Sequence, residues 1–357
     1  MTGATTTKAG PLILDGCKLA WHTDRVYAWE AGERIAPISV DMALTRACQA
    51  SCRGCYAVLQ EAQGRSNITI DHVYQLLEDF KSIGVKAVSL VSDGESTLSK
   101  AYDPFIIRAA ELGIDVGNAT NGWLLTPERQ ERLLPLMKWI RFTVLAGKPA
   151  SYARMMHGDP SRVDCFYNAI RNISYAVQLK RKKGLAVTLG IQTFVTPDDR
   201  EELQAFAQLG LDLGIDYAVI KHISDDEYGS FKVDYSRYHE IHQALQEAEK
   251  MSTPDTAIIV KWSKIRDGDK PSYKRVYGPP FLLQISGSGL VAPCGMFFNA
   301  RYSKLHIGNF TEDRFLDLFN SQQYWDCMDY LASPYFDAAT MMGTWPIQHY
   351  ANTALDR

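Results

Sequence analysis

The sequence lacks the long apolar runs of a membrane protein. No apolar stretch approaches the roughly 18 residues that a membrane-spanning helix needs, and Met1–Lys8 has none of the apolar centre of a signal peptide. The seven cysteines are an odd number, with one close triplet and scattered single residues, unlike a secreted disulfide framework. We therefore expect a cytoplasmic protein with no membrane partner.

The sequence also lacks an excess of basic residues. It has 38 Lys and Arg against 41 Asp and Glu, a formal net charge of -3, whereas nucleic-acid-binding proteins usually carry a basic patch and a high isoelectric point. We therefore expect no nucleic acid as a partner. The 357 residues, of which 46% are hydrophobic, suffice for one large domain and a smaller one.

What the sequence does have is three cysteines within eight residues. Cys48, Cys52 and Cys55 follow a strand-like run at 36–43 with the spacing C-x3-C-x2-C. Thiolates placed in this way select an iron–sulfur cluster or zinc over hard cations. A 4Fe-4S cube held by only three thiolates keeps one iron open for a small molecule, which makes such a cluster catalytic.

Two other interpretations of this triplet stay open. A zinc site needs a fourth ligand, usually another Cys or a His at short spacing, and the closest histidines are His22 and His72. The triplet could also be an inert group of buried cysteines. A zinc-binding or partner-binding protein without enzymatic activity is therefore an alternative hypothesis.

Strand-like and helix-like segments alternate through the first two thirds of the chain. Repeated alternation of this kind predicts an α/β protein with a parallel sheet and helices outside it. Functional loops of such sheets follow the carboxyl ends of the strands, which is where the cysteine triplet stands. The six strand-like segments are 36–43, 85–91, 113–117, 139–145, 185–195 and 217–221.

From about residue 229 the pattern changes to a helix, a strand, a hairpin-like run with a tight turn at Gly287–Gly289, and a last helix. These segments are 235–250, 257–262, 281–294 and 313–331. We therefore divide the chain into an N-terminal extension at 1–35, a core at 36–228 and a small α+β C-terminal extension at 229–357.

The spacing C-x3-C-x2-C after a first strand resembles the signature of the radical S-adenosylmethionine (SAM) enzymes. The resemblance implies a partial (βα)6 barrel, with a 4Fe-4S cluster on Cys48, Cys52 and Cys55 and SAM bound at the open iron. It also implies that an electron, from a flavodoxin- or ferredoxin-type donor, cleaves SAM. The resulting 5′-deoxyadenosyl radical abstracts hydrogen from a small-molecule substrate, and the cofactor carries this chemistry.

Other residues of the core match SAM-binding positions of that family. Ser92–Glu95 follows the second strand and is similar to a Gly-Gly-Glu motif, with Asp93 in place of the first glycine, Gly94 as the second and Glu95 as the carboxylate. An exposed acidic turn is the alternative. Asn121, in a Thr-Asn-Gly sequence after the third strand, resembles a residue beside the SAM pocket, or belongs to a simple Asn-Gly turn.

Three further positions bear on the same pocket. Thr143 lies on the fourth strand, where relatives place Ser or Thr near the carboxylate or ribose of SAM. Relatives usually have an aromatic residue or His just before the third cysteine, near adenine, but this chain has Gly54. Tyr56 either serves in its place or packs in the core.

Two residues at the end of the sixth strand have a possible role toward the substrate. Lys221 and His222 would face the mouth of a barrel, where a cation could hold a carboxylate or phosphate of the substrate. The alternative is an ion pair of Lys221 with Asp225 or Asp226.

The C-terminal region resembles the SPASM or twitch extension of radical SAM enzymes. That extension normally carries auxiliary clusters on several cysteines, and here it keeps only Cys294 and Cys327. Because a cluster usually takes four cysteines, we expect no auxiliary cluster, although His306, His349 or Cys17 could complete a set. The resembling segments are 293–296, 307–310, 315–325 and 348–352.

A lone thiol in this extension has another use in resembling epimerases. Cys294 or Cys327 could give a hydrogen atom to the substrate radical from the side opposite SAM, since an S–H bond is weaker than a C–H bond. The alternative is a small buried apolar residue, as most free cysteines are.

Together these observations predict a radical SAM enzyme of specialised metabolism acting on a sugar, aminocyclitol or nucleoside-type substrate. We expect redox-neutral chemistry, either epimerisation or a lyase or decarboxylase reaction. A radical SAM dehydrogenase, or an enzyme that modifies a ribosomal peptide with the help of an auxiliary cluster, is the alternative.

Overall fold

The computed structural model describes most of the chain. The described residues are 5–7, 10–12, 14, 19–60, 64, 67–268, 272–341 and 348–356. Cys17, named above as a possible cluster ligand, lies outside them. No helix in these ranges is both long enough and apolar enough to span a bilayer.

The described chain is organised around one sheet of ten strands, with a separate antiparallel pair near the N-terminus. In chain order the strands are β1 (Thr5–Thr7), β2 (Gly10–Leu12), β3 (Ser39–Met42), β4 (Ala87–Leu90), β5 (Asp115–Thr120), β6 (Trp139–Thr143), β7 (Thr188–Val195), β8 (Tyr217–His222), β9 (Ala257–Val260), β10 (Leu282–Ile285), β11 (Leu290–Ala292) and β12 (Gly308–Asn309). The strand order in the sheet is β12-β11-β10-β3-β4-β5-β6-β7-β8-β9.

Helices follow most of the strands. They are α1 (Thr23–Glu30), α2 (Tyr56–Gln60), α3 (Ile70–Ile83), α4 (Tyr102–Glu111), α5 (Pro127–Leu133), α6 (Pro149–His157), α7 (Asp164–Lys183), α8 (Glu202–Leu213), α9 (His242–Lys250), α10 (Trp262–Asp267), α11 (Phe315–Asn320), α12 (Gln322–Ala332) and α13 (His349–Leu355). Thr126 caps helix α5, because its side chain accepts from the backbone N–H of Arg129, and Pro127 is the first residue of the helix.

The predicted fold class is confirmed. Strands β3 to β8 belong to the six expected βα units, and each of these strands pairs in parallel with the next. The sheet continues past them, since β9 pairs in parallel with β8 and β10 pairs in parallel with β3. The predicted hairpin is β10 and β11. The C-terminal residues therefore extend both edges of the core sheet, and the proposed domain boundary at residue 229 stays a prediction.

The two faces of the parallel strands differ in polarity. One face carries apolar residues such as Val40, Val88 and Ile140, which join the main core. Because side chains alternate along a strand, their sequence neighbours Asp41 and Arg141 belong to the other face. Parallel strands buried on both faces are usually apolar throughout, so charged residues on one face indicate a polar interior, as in an open barrel.

Candidate functional site

The cysteine loop follows β3 and is fastened to the end of helix α6. The backbone N–H of Ser51 donates to the carbonyl of Met156 at 2.9 Å, and that of Arg53 donates to Met155 at 2.8 Å. The Sγ of Cys52 lies 3.5 Å from the Sδ of Met156. The loop therefore stands at the carboxyl end of the strands, as the sequence predicts.

The three thiols of this loop interact with one another electrostatically. Burial is the main cause that raises the pKa of Cys48, Cys52 and Cys55, and negative charge on Cys48 and Cys55 further raises that of Cys52. Within the described ranges, no three His, Cys, Asp or Glu side chains are gathered as a preformed metal site. The loop supplies three soft donors, and a cation would be needed to gather them and to hold them as thiolates.

Gly54 shows why no aromatic residue precedes the third cysteine. Its φ of +74° favours glycine. A Cβ there would also lie 3.1 Å from Ile223 and 3.2 Å from Phe194. Tyr56 is half-buried and packs against the core. Helix α2, which begins at Tyr56, packs against residues 295–298 of the C-terminal region. After burial, the charge of Cys294 contributes most to raising the pKa of Tyr56.

Glu95 holds three segments of the site together. Its carboxylate, 4% exposed, accepts hydrogen bonds from the N–H and hydroxyl of Thr97, the hydroxyl of Thr120 and the N–H of Asn121, at 2.6–3.2 Å. Its own N–H donates to Ala47 in the cysteine loop. A carboxylate offers about four acceptor positions, and Glu95 accepts four hydrogen bonds here. Glu95 in this structure therefore positions the ends of β4 and β5 around the cysteine loop.

The turn before Glu95 is packed against the cysteine loop. Gly94 has a φ of +82°, and a Cβ there would collide with the backbone of Thr45 and Arg46. The carboxylate of Asp93, 3% exposed, accepts from the Ser286 hydroxyl and the Gly287 N–H, both at 2.7 Å. Burial raises the pKa of Asp93 in spite of these bonds. Asp93 thus fastens the end of β4 to the β10–β11 hairpin.

We expect Asp93→Ala to lower the free energy of unfolding by about 2–4 kcal/mol, because it removes the partner of two buried donors. Urea denaturation of the purified protein measures this loss. The control is Asp115→Ala, which breaks an exposed ion pair with Lys138 at 3.3 Å and should cost less than about 1 kcal/mol. Equal losses for the two variants would contradict the assigned role.

Several buried polar atoms at this edge of the sheet have no hydrogen-bond partner among the described residues. They are the hydroxyl of Ser92, the amide nitrogen of Asn121 and the amide oxygen of Gln49. The Asn121 oxygen, by contrast, accepts from the Trp123 N–H at 3.0 Å and from Gln49 at 3.3 Å. Because an unpaired buried polar atom is costly, these atoms suit a ligand with both donors and acceptors, such as the amino acid part of SAM.

Thr143 faces the interior beside β7. Its hydroxyl accepts from the amide nitrogen of Gln192 at 3.0 Å, and the amide oxygen of Gln192 has no partner within the described part of the chain. Thr143 is therefore tied to a neighbouring strand on the polar face of the sheet.

The structure separates the two cysteines of the C-terminal region. Cys294 is 2% exposed at the end of the β10–β11 hairpin, where burial above all, and to a smaller extent the charge of Asp41, raises its pKa to about 12. The Sγ of Cys327, on α12, lies 3.5 Å from Gln323 and 3.7 Å from the carbonyl of Lys304. The N–H of the next residue, Gly295, donates to the side chain of Gln284, which lies opposite Asp41 in the sheet. Cys294 therefore adjoins the barrel interior, whereas the contacts of Cys327 are within the C-terminal region.

Two charged residues of the interior, Asp41 and Arg141, were not predicted as site residues. Burial, as the largest cause, raises the pKa of Asp41 to about 7, and a hydrogen bond from Ser89 and the charge of Arg141 lower it. A charged residue between apolar neighbours in a predicted parallel strand was the available signal. Lys221 faces the same interior, and among the described residues it forms no ion pair with Asp225 or Asp226.

Comparisons with known proteins agree with this geometry. Residues 42–207 match the family model described as the radical SAM superfamily. An "AdoMet-dependent heme synthase" of Methanosarcina barkeri is 23% identical over 309 residues, covering 81% of this chain and 83% of that protein. An "Fe-coproporphyrin III synthase" of the same organism is 30% identical over 90 residues, which is 25% of this chain and 22% of that protein.

Solved structures share the fold. SuiB of Streptococcus suis bound to S-adenosylmethionine has a TM-score of 0.63 and 16% identity, covering 87% of this chain and 72% of that chain. The protein anSMEcpe with bound AdoMet has a TM-score of 0.61 and 13% identity, covering 83% of this chain and 84% of that chain. The chain therefore contains a radical SAM domain at residues 42–207, and its parallel sheet with a cysteine loop agrees with the fold of these structures.

Proposed function

We propose that this radical SAM enzyme carries out a redox-neutral reaction, an epimerisation or a lyase or decarboxylase reaction, on a sugar, aminocyclitol or nucleoside-type substrate. The superfamily implies SAM and an iron–sulfur cluster. When bound, these cofactors supply a radical that abstracts a hydrogen atom from the substrate. Cys48, Cys52 and Cys55 would hold the cluster, and the unpaired atoms of Ser92 and Asn121 would face SAM.

The observation that carries the redox-neutral proposal is the position of Cys294. Its thiol is buried beside the polar interior and near the Tyr56 hydroxyl. Burial disfavours the thiolate, so the sulfur keeps its hydrogen. That hydrogen atom would pass to the carbon radical of the substrate, which breaks an S–H bond and forms a C–H bond. A one-electron donor of flavodoxin or ferredoxin type and a proton would then restore the thiol.

The cysteine count also supports a redox-neutral reaction. After Cys165 the sequence has only Cys294 and Cys327, whereas an auxiliary cluster usually takes four cysteines. The described side chains of His306 and His349 are engaged elsewhere, since His306 contacts the carbonyl of Phe297 at 2.8 Å and His349 packs on Tyr273. A dehydrogenase would therefore need an electron acceptor other than a cluster held by Cys294, Cys327, His306 and His349.

A second candidate is a reaction on a tetrapyrrole. The heme synthase of M. barkeri aligns with most of this chain, and this likeness is the observation that supports a porphyrin-type substrate. Formation of 5′-deoxyadenosine in the presence of iron coproporphyrin, and not with sugars, aminocyclitols or nucleosides, would make this candidate the better one.

The test of the proposed function is the iron, sulfide and zinc content after anaerobic reconstitution, followed by assay of SAM cleavage. We expect about four irons per chain and formation of 5′-deoxyadenosine. About eight irons would replace the proposal with a dehydrogenase or peptide-modifying enzyme that has an auxiliary cluster. Stoichiometric zinc without iron would favour the zinc-binding protein.

A further inference from the structure

The polar interior of the barrel contains two cations from strands that do not pair with each other. Arg141 lies on β6 and Lys221 on β8, with β7 between them. Their sequence neighbours Ile140, Phe142 and Ile220 are buried in the main core on the opposite face. Strand alternation therefore directs both cations into the same interior.

Among the described residues, neither cation has an anionic partner. Across the part of the chain that the structure describes, no carboxylate lies within ion-pair distance of Arg141 or Lys221, and the Nε of Arg141 is buried without a hydrogen-bond partner. The guanidinium instead lies 5.5 Å from the centre of the Trp139 ring. Both side chains are half-buried, and a cation withdrawn from water without a partner is costly, so this arrangement suits an anion that arrives from outside.

The surrounding charges agree with this interpretation. Burial is the main cause that lowers the pKa of Lys221 to about 7, and the charges of Arg141 and Lys261 lower it further. The acidic group facing them is Asp41 on β3, three strands away from β6, and Ser89 donates a hydrogen bond to its side chain. Positive charge therefore predominates on the β6–β8 side of the interior.

We propose that Arg141 and Lys221 bind an anionic group of the substrate, a carboxylate or a phosphate, inside the barrel. The inference rests on the proposed function and adds to it the chemical class of the substrate. A guanidinium can bind either group with two parallel hydrogen bonds, and an ammonium adds a point charge. The anion would be held on the wall opposite β3 and the adjoining β10–β11 hairpin, which places the rest of the substrate toward Cys294.

Isothermal titration calorimetry with the full reconstituted chain tests this site without any catalytic readout. Inorganic phosphate and malonate serve as probes and distinguish phosphate from carboxylate recognition. We expect at least one of them to bind, and R141Q and K221Q to weaken that binding by about tenfold or more. The matched controls are R171Q and K138Q, which change exposed residues and should bind as the unaltered protein does.

Each outcome of the titration either supports or overturns the anion site at Arg141 and Lys221. Absence of phosphate and malonate binding at millimolar concentration, or equal binding by R141Q, K221Q and the two controls, overturns it. If R141Q does not fold, R141K replaces it in the test, because Lys keeps the positive charge. R141K should bind the anion more weakly than the unaltered protein but more tightly than K221Q. Failure of the proposed function would appear separately, as missing iron or missing SAM cleavage in a sample that still binds the anion.

Discussion

Replacing Cys52 by Ala is expected to abolish SAM cleavage, with a loss of at least about 100-fold in 5′-deoxyadenosine formation. The loop offers three thiolates to a 4Fe-4S cluster, and the two that remain after this replacement cannot hold it. Cys52 lies between the other two cysteines, and its pKa rises through burial and through the charges of both. Iron per chain should fall from about four to below one.

The same measurement on Cys165→Ala provides the matched control. Cys165 is a half-buried cysteine at the start of α7, and its thiol donates to the carbonyl of Arg162 at 2.9 Å. It should keep full iron content and full SAM cleavage. A Cys52→Ala protein that still forms 5′-deoxyadenosine at the rate of the unaltered protein would contradict the cluster assignment.

The local pattern of the sequence was sufficient to predict the core of the fold. The βα alternation and the hairpin at β10 and β11 both depend on neighbouring residues, and both are present. The pairing of β10 with β3 and of β9 with β8 was not predicted. Strands from distant parts of the chain pair through contacts that no local period reveals.

The position of the site could be predicted from the sequence, but its side-chain contacts could not. The cysteine loop and the turn at Asp93–Glu95 lie at the strand ends as expected. Their side-chain contacts, such as Asp93 with the β10–β11 hairpin, depend on a segment almost 200 residues further on. Arg141 was not predicted as a site residue. A strand residue can be assigned to the barrel interior only when it is known which face of the sheet lies inside the barrel.

Replacing Cys294 by Ala is expected to separate SAM cleavage from product formation. The variant lacks the buried S–H that would return hydrogen to the substrate radical, so product should fall by at least about 100-fold. Formation of 5′-deoxyadenosine should continue, because Cys294 belongs to the hairpin and not to the cysteine loop. The Ala side chain fits the space of a thiol and leaves the surrounding core nearly unchanged.

The assay follows deuterium from heavy water, since a thiol exchanges its hydrogen with solvent and would deliver deuterium to the product carbon. The unaltered enzyme should place one deuterium in the product, and Cys294→Ala should place none. Cys327→Ala is the matched control, because its thiol is also buried but contacts Gln323 and Lys304 in the C-terminal region. Undiminished deuterium uptake in Cys294→Ala, or its loss in Cys327→Ala alone, would assign the hydrogen donor elsewhere.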